Sequence, residues 1–112
     1  MADLSLTTVP VDAGIADVAG QAAAADAGGD TAPVGPHRFL YVANADASPH
    51  TVTVATPGTV KGLAVADASL VVAAGDHGIL PLNNVYRGAT GRAAITYDDV
   101  TSVTVAAFEL ET

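Results

Sequence analysis

At 112 residues with a net charge of −8 and no cysteine, the chain has room for one core, and it excludes a disulfide-stapled scaffold, a thiolate nucleophile and a thiolate metal site. Twelve acidic residues against four basic ones argue against a nucleic-acid backbone as partner. Half of the residues are hydrophobic, but 24 are alanine and 15 are valine, so the core has to be assembled from small and β-branched side chains.

The opening stretch MADLSLTTVPVD has neither a basic region nor a continuous apolar run, and nowhere do about 18 apolar residues follow one another. The expectation is a chain made in a cytoplasm, with no signal peptide, no membrane span and no membrane partner. Residues 1–36 read as an N-terminal arm. It opens with a short strand at 4–9, LSLTTV. The alanine-rich ADVAGQAAAADA at 16–27 permits a helix that would be marginal alone, and Gly28 to Pro36 read as loop. Such an arm needs something to lie against.

From His37 onward the pattern is β. Runs at 37–44, 50–56, 59–65, 69–74, 77–82, 91–97 and 102–110 are rich in Val, Thr, Ile, Tyr and Phe, and Gly, Pro, Asn and Asp punctuate them. The expected fold is all-β: an antiparallel sandwich or small barrel of about seven or eight strands over 37–112, with the arm extended from it. In the last run Val103 and Val105 share one face, whereas Phe108 and Leu110 have the other parity. Either a bulge at Ala106–Ala107 re-aims the strand, or both of its faces are covered. DDVT at 98–101 reads as a tight connection that makes 91–110 a hairpin, with Asp98 and Asp99 as turn residues rather than cation ligands.

Catalytic vocabulary is sparse. His37, His50 and His77 have no metal-motif spacing and read as solvated or interface histidines. None of the serines at 5, 48, 69 and 102 sits in a nucleophile elbow, and the glycines form no phosphate-cradling loop. Carboxylate pairs for acid–base work would want aromatic platforms, yet there is no tryptophan, and all aromatics except Tyr86 lie in strand patterns. No enzyme, cofactor or metal site is expected. On so acidic a chain, Arg38, Arg87 and Arg92 are candidates for specific protein contacts, the last two bracketing GATG near Tyr86. Intramolecular salt links across the 86–92 loop are the equal alternative.

Gly29-Asp30, Val42-Ala43-Asn44, Thr51 to Val54, Ala74-Gly75 and the closing stretch Gly91 through Leu110 together resemble a group of small virion proteins of tailed phages, over roughly residues 28–110. HGILPLNNVYRG departs from the pattern of that group, and the arm is longer and richer in alanine. The resemblance implies a capsid decoration or cement protein on the outer head surface. Its partners would be the major capsid protein and copies of itself, with trimers favoured by the threefold positions of icosahedral lattices. Arg38, Tyr86, Arg87, Arg92 and Phe108 would be contact residues, and the arm (2–36), the Arg87–Arg92 loop and the C-terminal strand the contact regions. The rivals are a head–tail junction or tail component and, in another class, a β-sandwich module for carbohydrate or a host surface.

Overall fold

Where hydroxyl and valine side chains alternate, the chain forms half-buried strands: His50, Val52 and Val54 point inward while Thr51 and Thr53 stay partly exposed. The structure, a computed structural model, describes residues 2–111. Its strands are β1 (Ala2–Asp3), β2 (Leu6–Val9), β3 (Ala23–Ala24), β4 (Asp30–Pro33), β5 (Arg38–Asn44), β6 (His50–Val54), β7 (Thr59–Val60), β8 (Leu63–Ala64), β9 (Ala68–Val72), β10 (His77–Pro81), β11 (Arg92–Tyr97) and β12 (Val103–Leu110). One sheet runs β1-β4-β11-β6-β9, and the other runs β10-β5-β12-β2 with β3 beside β12. The expected all-β sandwich is therefore the observed architecture. Its shortest dimension, 21 Å, suits two sheets about 10 Å apart plus one covering layer.

Small inward side chains fill the space between the sheets. Ala32, Val52, Val54, Ala93 and Ile95 of the first sheet meet Leu40, Val42, Val103, Val105 and Ala107 of the second. β4 is part of this interior, although its DTAP sequence lies in the stretch read as loop. Gly29 makes its entry possible: with φ +94 it passes so close to β11 that a Cβ would lie 2.7 Å from the Ile95 carbonyl oxygen.

The parity problem in the last strand resolves without a bulge. β12 pairs residue for residue with β5 from Val103↔Asn44 to Glu109↔Arg38, so Val103, Val105 and Ala107 face the core while Ala106 and Phe108 face outward. That outer face is covered as well. Tyr41, Ala106 and Phe108 form a second apolar cluster with Phe39 and Ala43, and Val9, Ile15 and Ala22 of the arm pack onto it.

Two expectations are corrected here. β11 and β12 do not form a hairpin, because β11 belongs to one sheet and β12 to the other. The connection at 98–102 is an arch between layers, and DDVTS lacks the Asn-Gly or Asp-Gly pair that closes a two-residue hairpin. The arm, read as extended from the sandwich and in need of something to lie against, is already paired within the chain. β2 runs parallel to the end of β12, β3 pairs antiparallel with Thr104 and Val105, and β1 lies parallel to β4. Its alanine-rich part forms only a 3-10 turn at Ala19–Gln21 instead of a helix, since burying Ala22 and pairing Ala23–Ala24 with β12 requires extended backbone.

Candidate protein-contact surface

Of the five predicted contact residues, three have internal roles. Arg38 on β5 pairs through Nε with Glu109 Oε2 across the β5–β12 ladder at 2.7 Å, and its Nη1 donates to the Val34 carbonyl at 2.6 Å. Arg92 on β11 is a clamp on the arm. Its Nε donates to Thr31 Oγ1 at 2.9 Å, and its Nη2 donates to the carbonyls of Leu4 and Thr31. Phe108 is 1 % exposed and stacks on Phe39 at 5.5 Å inside the outer cluster, so in this chain it is core and not surface. Tyr86, in a 3-10 turn at Asn84–Tyr86, packs partly buried against the main core. Arg87 alone of the five is exposed. Because the five are spread over both sheets and a loop, they do not gather into one patch.

Polar groups inside the sandwich serve the fold. Asn44 Nδ2 donates to the carbonyls of Ser48 and Val72 at 2.8 and 3.0 Å, and its Oδ1 accepts from the Asp46 amide, which fixes the β5–β6 loop. His50, 5 % exposed, meets Asp46 Oδ2 through Nε2 at 2.8 Å and lies 3.6 Å from Asp98 Oδ1 through Nδ1. The contact with His50 holds the Asp46 carboxyl below the ordinary carboxylate range, with help from the Ala47 amide. Hydrogen bonds from the Thr101 amide and hydroxyl do the same for Asp99, as a turn residue should show. Asp98 accepts from the Thr51 amide at 2.9 Å. Among the described residues, no group of three or more His, Asp or Glu side chains is placed to hold a metal.

A second polar pair, partly buried Tyr97 and buried Asp30, ties the first sheet to the arm's end. The Tyr97 hydroxyl donates to Asp30 Oδ2 at 2.6 Å, and the Asp26 amide donates to the same oxygen at 3.3 Å. Burial, then the hydrogen bond to Asp30, pushes the Tyr97 hydroxyl well above its ordinary range. Asp30 Oδ1 is buried without a hydrogen-bond partner.

Exposed large apolar groups occur on the arm (Val11, Val18), in the Asn84–Tyr86 turn (Val85), at the end of β12 (Leu110) and at the margins of the sandwich. β9 and β10 each form one edge of their sheets and expose Val71 and Ile79. Between β6 and β9 the chain throws out the hairpin β7–β8, a pairing unseen in the sequence, where 59–65 reads as one strand. Val60 and Leu63 are direct partners in it and therefore share one face, with 63 % and 72 % of their surfaces exposed. Its turn is Lys61-Gly62, both at positive φ (53 and 76), and its base is tied by the Thr56 amide donating to Asp67 Oδ1 at 2.8 Å. On the opposite sheet, Asp17, Val18, Phe39, Tyr41, His77 and Ile79 line an open groove of about 610 Å³ between the arm and β10. His77 tilts against Tyr41 at 5.7 Å.

No family model, no curated protein and no solved structure matches the chain.

Proposed function

We propose that this chain is a structural protein of a virus particle, a decoration protein that binds the outer face of a capsid lattice and stabilises the head. The observation that carries the reading is the placement of exposed apolar side chains. Val60, Leu63, Val71 and Ile79, half of the exposed large apolar side chains, stand on the hairpin and on two of the four edge strands of a module whose net charge is −8. Apolar groups at such margins serve contacts with other proteins, where free strand edges accept further pairing. Acidity suits an outer surface and would oppose packing against DNA. Weak contacts of this kind become strong when a lattice repeats them many times. The role asks for no reagent, only for a rigid sandwich with adhesive edges.

A quantified protein profile of purified particles tests this. The expected result is a copy number in the hundreds, with heads that rupture once salt or chelator washes have removed the chain. A copy number of about six or twelve would place it in a head–tail or tail ring instead. Specific glycan binding, substrate turnover, or particles equally robust without the chain would overturn the reading.

A further inference from the structure

We infer that the β7–β8 hairpin of one copy docks into the Val18–Phe39–Tyr41–Ile79 groove of a second copy, joining the chains head to tail. The inference goes beyond the virion role and does not depend on it.

The hairpin is the starting observation. A two-stranded hairpin standing alone is marginal in water and gains stability from a further strand or an apolar cover. Thr59–Ala64 has neither within its own chain, since β7 and β8 pair only with each other and all six residues are exposed. The turn is also strained. Lys61 adopts left-handed backbone at φ 53, a conformation that costs a residue other than Gly, Asn or Asp roughly 1–2 kcal/mol. A strained, exposed turn carrying a cation beside two paired apolar side chains has the make-up of a recognition tip.

A local match between two surfaces of the same chain points to a second copy as occupant, in spite of the repulsion between two bodies of net charge −8. Arg38 and Arg92 are consumed internally, so among the described lysine and arginine residues only Lys61 and Arg87 have side chains without an ion pair or hydrogen bond within the chain. The groove offers the complement: apolar and aromatic walls for Val60 and Leu63, and at its rim Asp17, one oxygen of which is held by the Gly20 amide at 3.0 Å. Ile79 belongs to β10, whose other side has no strand partner, so backbone pairing can accompany side-chain insertion. The hairpin is a two-stranded sheet of its own between β6 and β9 of the first sheet, whereas the groove lies beside β5 and β10 of the second. A contact between two different surfaces of this kind leaves one of each free at the ends, and it closes into a ring where the rotation permits; a trimer is one such ring.

The test uses the full chain and variants at exposed positions. Sedimentation velocity of the wild type should show concentration-dependent assembly. Val60→Asp with Leu63→Asp, or Ile79→Asp alone, should weaken it by about tenfold or more with an unchanged circular-dichroism spectrum. A one-to-one mixture of the hairpin variant and the groove variant should form dimers and nothing larger, because one intact hairpin then meets one intact groove. Lys61→Glu should weaken assembly, and adding Asp17→Lys should restore it. A wild type that stays monomeric up to about 1 mM, or variants that assemble as it does, or a mixture that yields no dimers, would overturn the inference. If the wild type is monomeric yet the hairpin variant is lost from particles, the hairpin's partner is another protein, so this inference fails while the virion role stands. Copies that assemble in a system whose particles lack the chain give the converse.

Discussion

β12 and the β7–β8 hairpin are written in nearly the same letters, VTVAAFEL against TV and LA, yet they have opposite fates. β12 lies between β5 on one side and β2 and β3 on the other, with its inner face on the core and its outer face under the arm. The hairpin has no neighbour on either edge and no cover on its apolar face. Composition therefore marks a segment as β, but whether it becomes mortar inside the chain or an adhesive tip outside it depends on what lies alongside. The two regions should separate cleanly by stability and by association.

The largest contrast comes from truncation. Ile95→Ala on β11, whose side chain is fully buried between the sheets, should cost about 2–5 kcal/mol in urea unfolding. Leu63→Ala should change stability by no more than about 0.5 kcal/mol. Were Leu63→Ala to cost as much as Ile95→Ala, the hairpin would be packed in the folded monomer and the contrast would fail.

Next in size is the Tyr97–Asp30 pair at the arm's end. Tyr97→Phe should cost about 1–3 kcal/mol at neutral pH, because it leaves the buried Asp30 carboxylate short of a donor. Tyr97 has a folded value raised above its ordinary 10.0, so its contribution is complete below about pH 10 and is lost as pH rises beyond that. The gap between variant and wild type should accordingly narrow in alkali, as followed by denaturation at a series of pH values. A gap that stays constant above pH 10 would show that the hydroxyl is not held in its neutral form.

A smaller effect belongs to the β5–β6 loop. Asp46 has its value lowered by His50, so the stability it supplies is present above the ordinary carboxylate value of 3.8 and is lost as pH falls through the folded value. Asp46→Asn should destabilise the chain modestly at pH 6 and hardly at all near pH 2. Equal losses at both pH values in acid-unfolding curves would remove the ion contact as the cause.

Alternation and punctuation were enough to read most strands of the sandwich: a face buried on one side imposes period two on 50–54 and 92–97, and in 38–44, where both faces are covered, the run of β-branched and aromatic residues marks the strand instead. They were not enough for β4, where Asp30 and Pro33 look like loop residues, and Gly29's close approach to Ile95 and the Tyr97–Asp30 bond make the strand. The sheet change between β11 and β12 was equally hidden. A turn of five polar and small residues reads alike whether it returns along one sheet or crosses to the next. The contact surface was the least legible part. Arginines draw attention as recognition residues, but two of the three are committed to Glu109, Val34, Thr31 and Leu4, partners 4 to 88 positions away in sequence. The hairpin was hidden because its turn is Lys-Gly and lacks the Asn that usually marks such a turn.

That departure from the usual turn chemistry supplies the smallest and most discriminating measurement. Asn occupies left-handed backbone more easily than Lys, so Lys61→Asn should relieve part of the turn's strain and raise stability by up to about 1 kcal/mol. The same change removes the cation that would face Asp17 of a second copy. Stability should rise while self-association falls, and only a tip that gives up conformational energy in order to present a charge behaves in that way. If stability and association both rise, Lys61 is merely a poor turn residue, and the hairpin's contact, if it makes one, rests on Val60 and Leu63 alone.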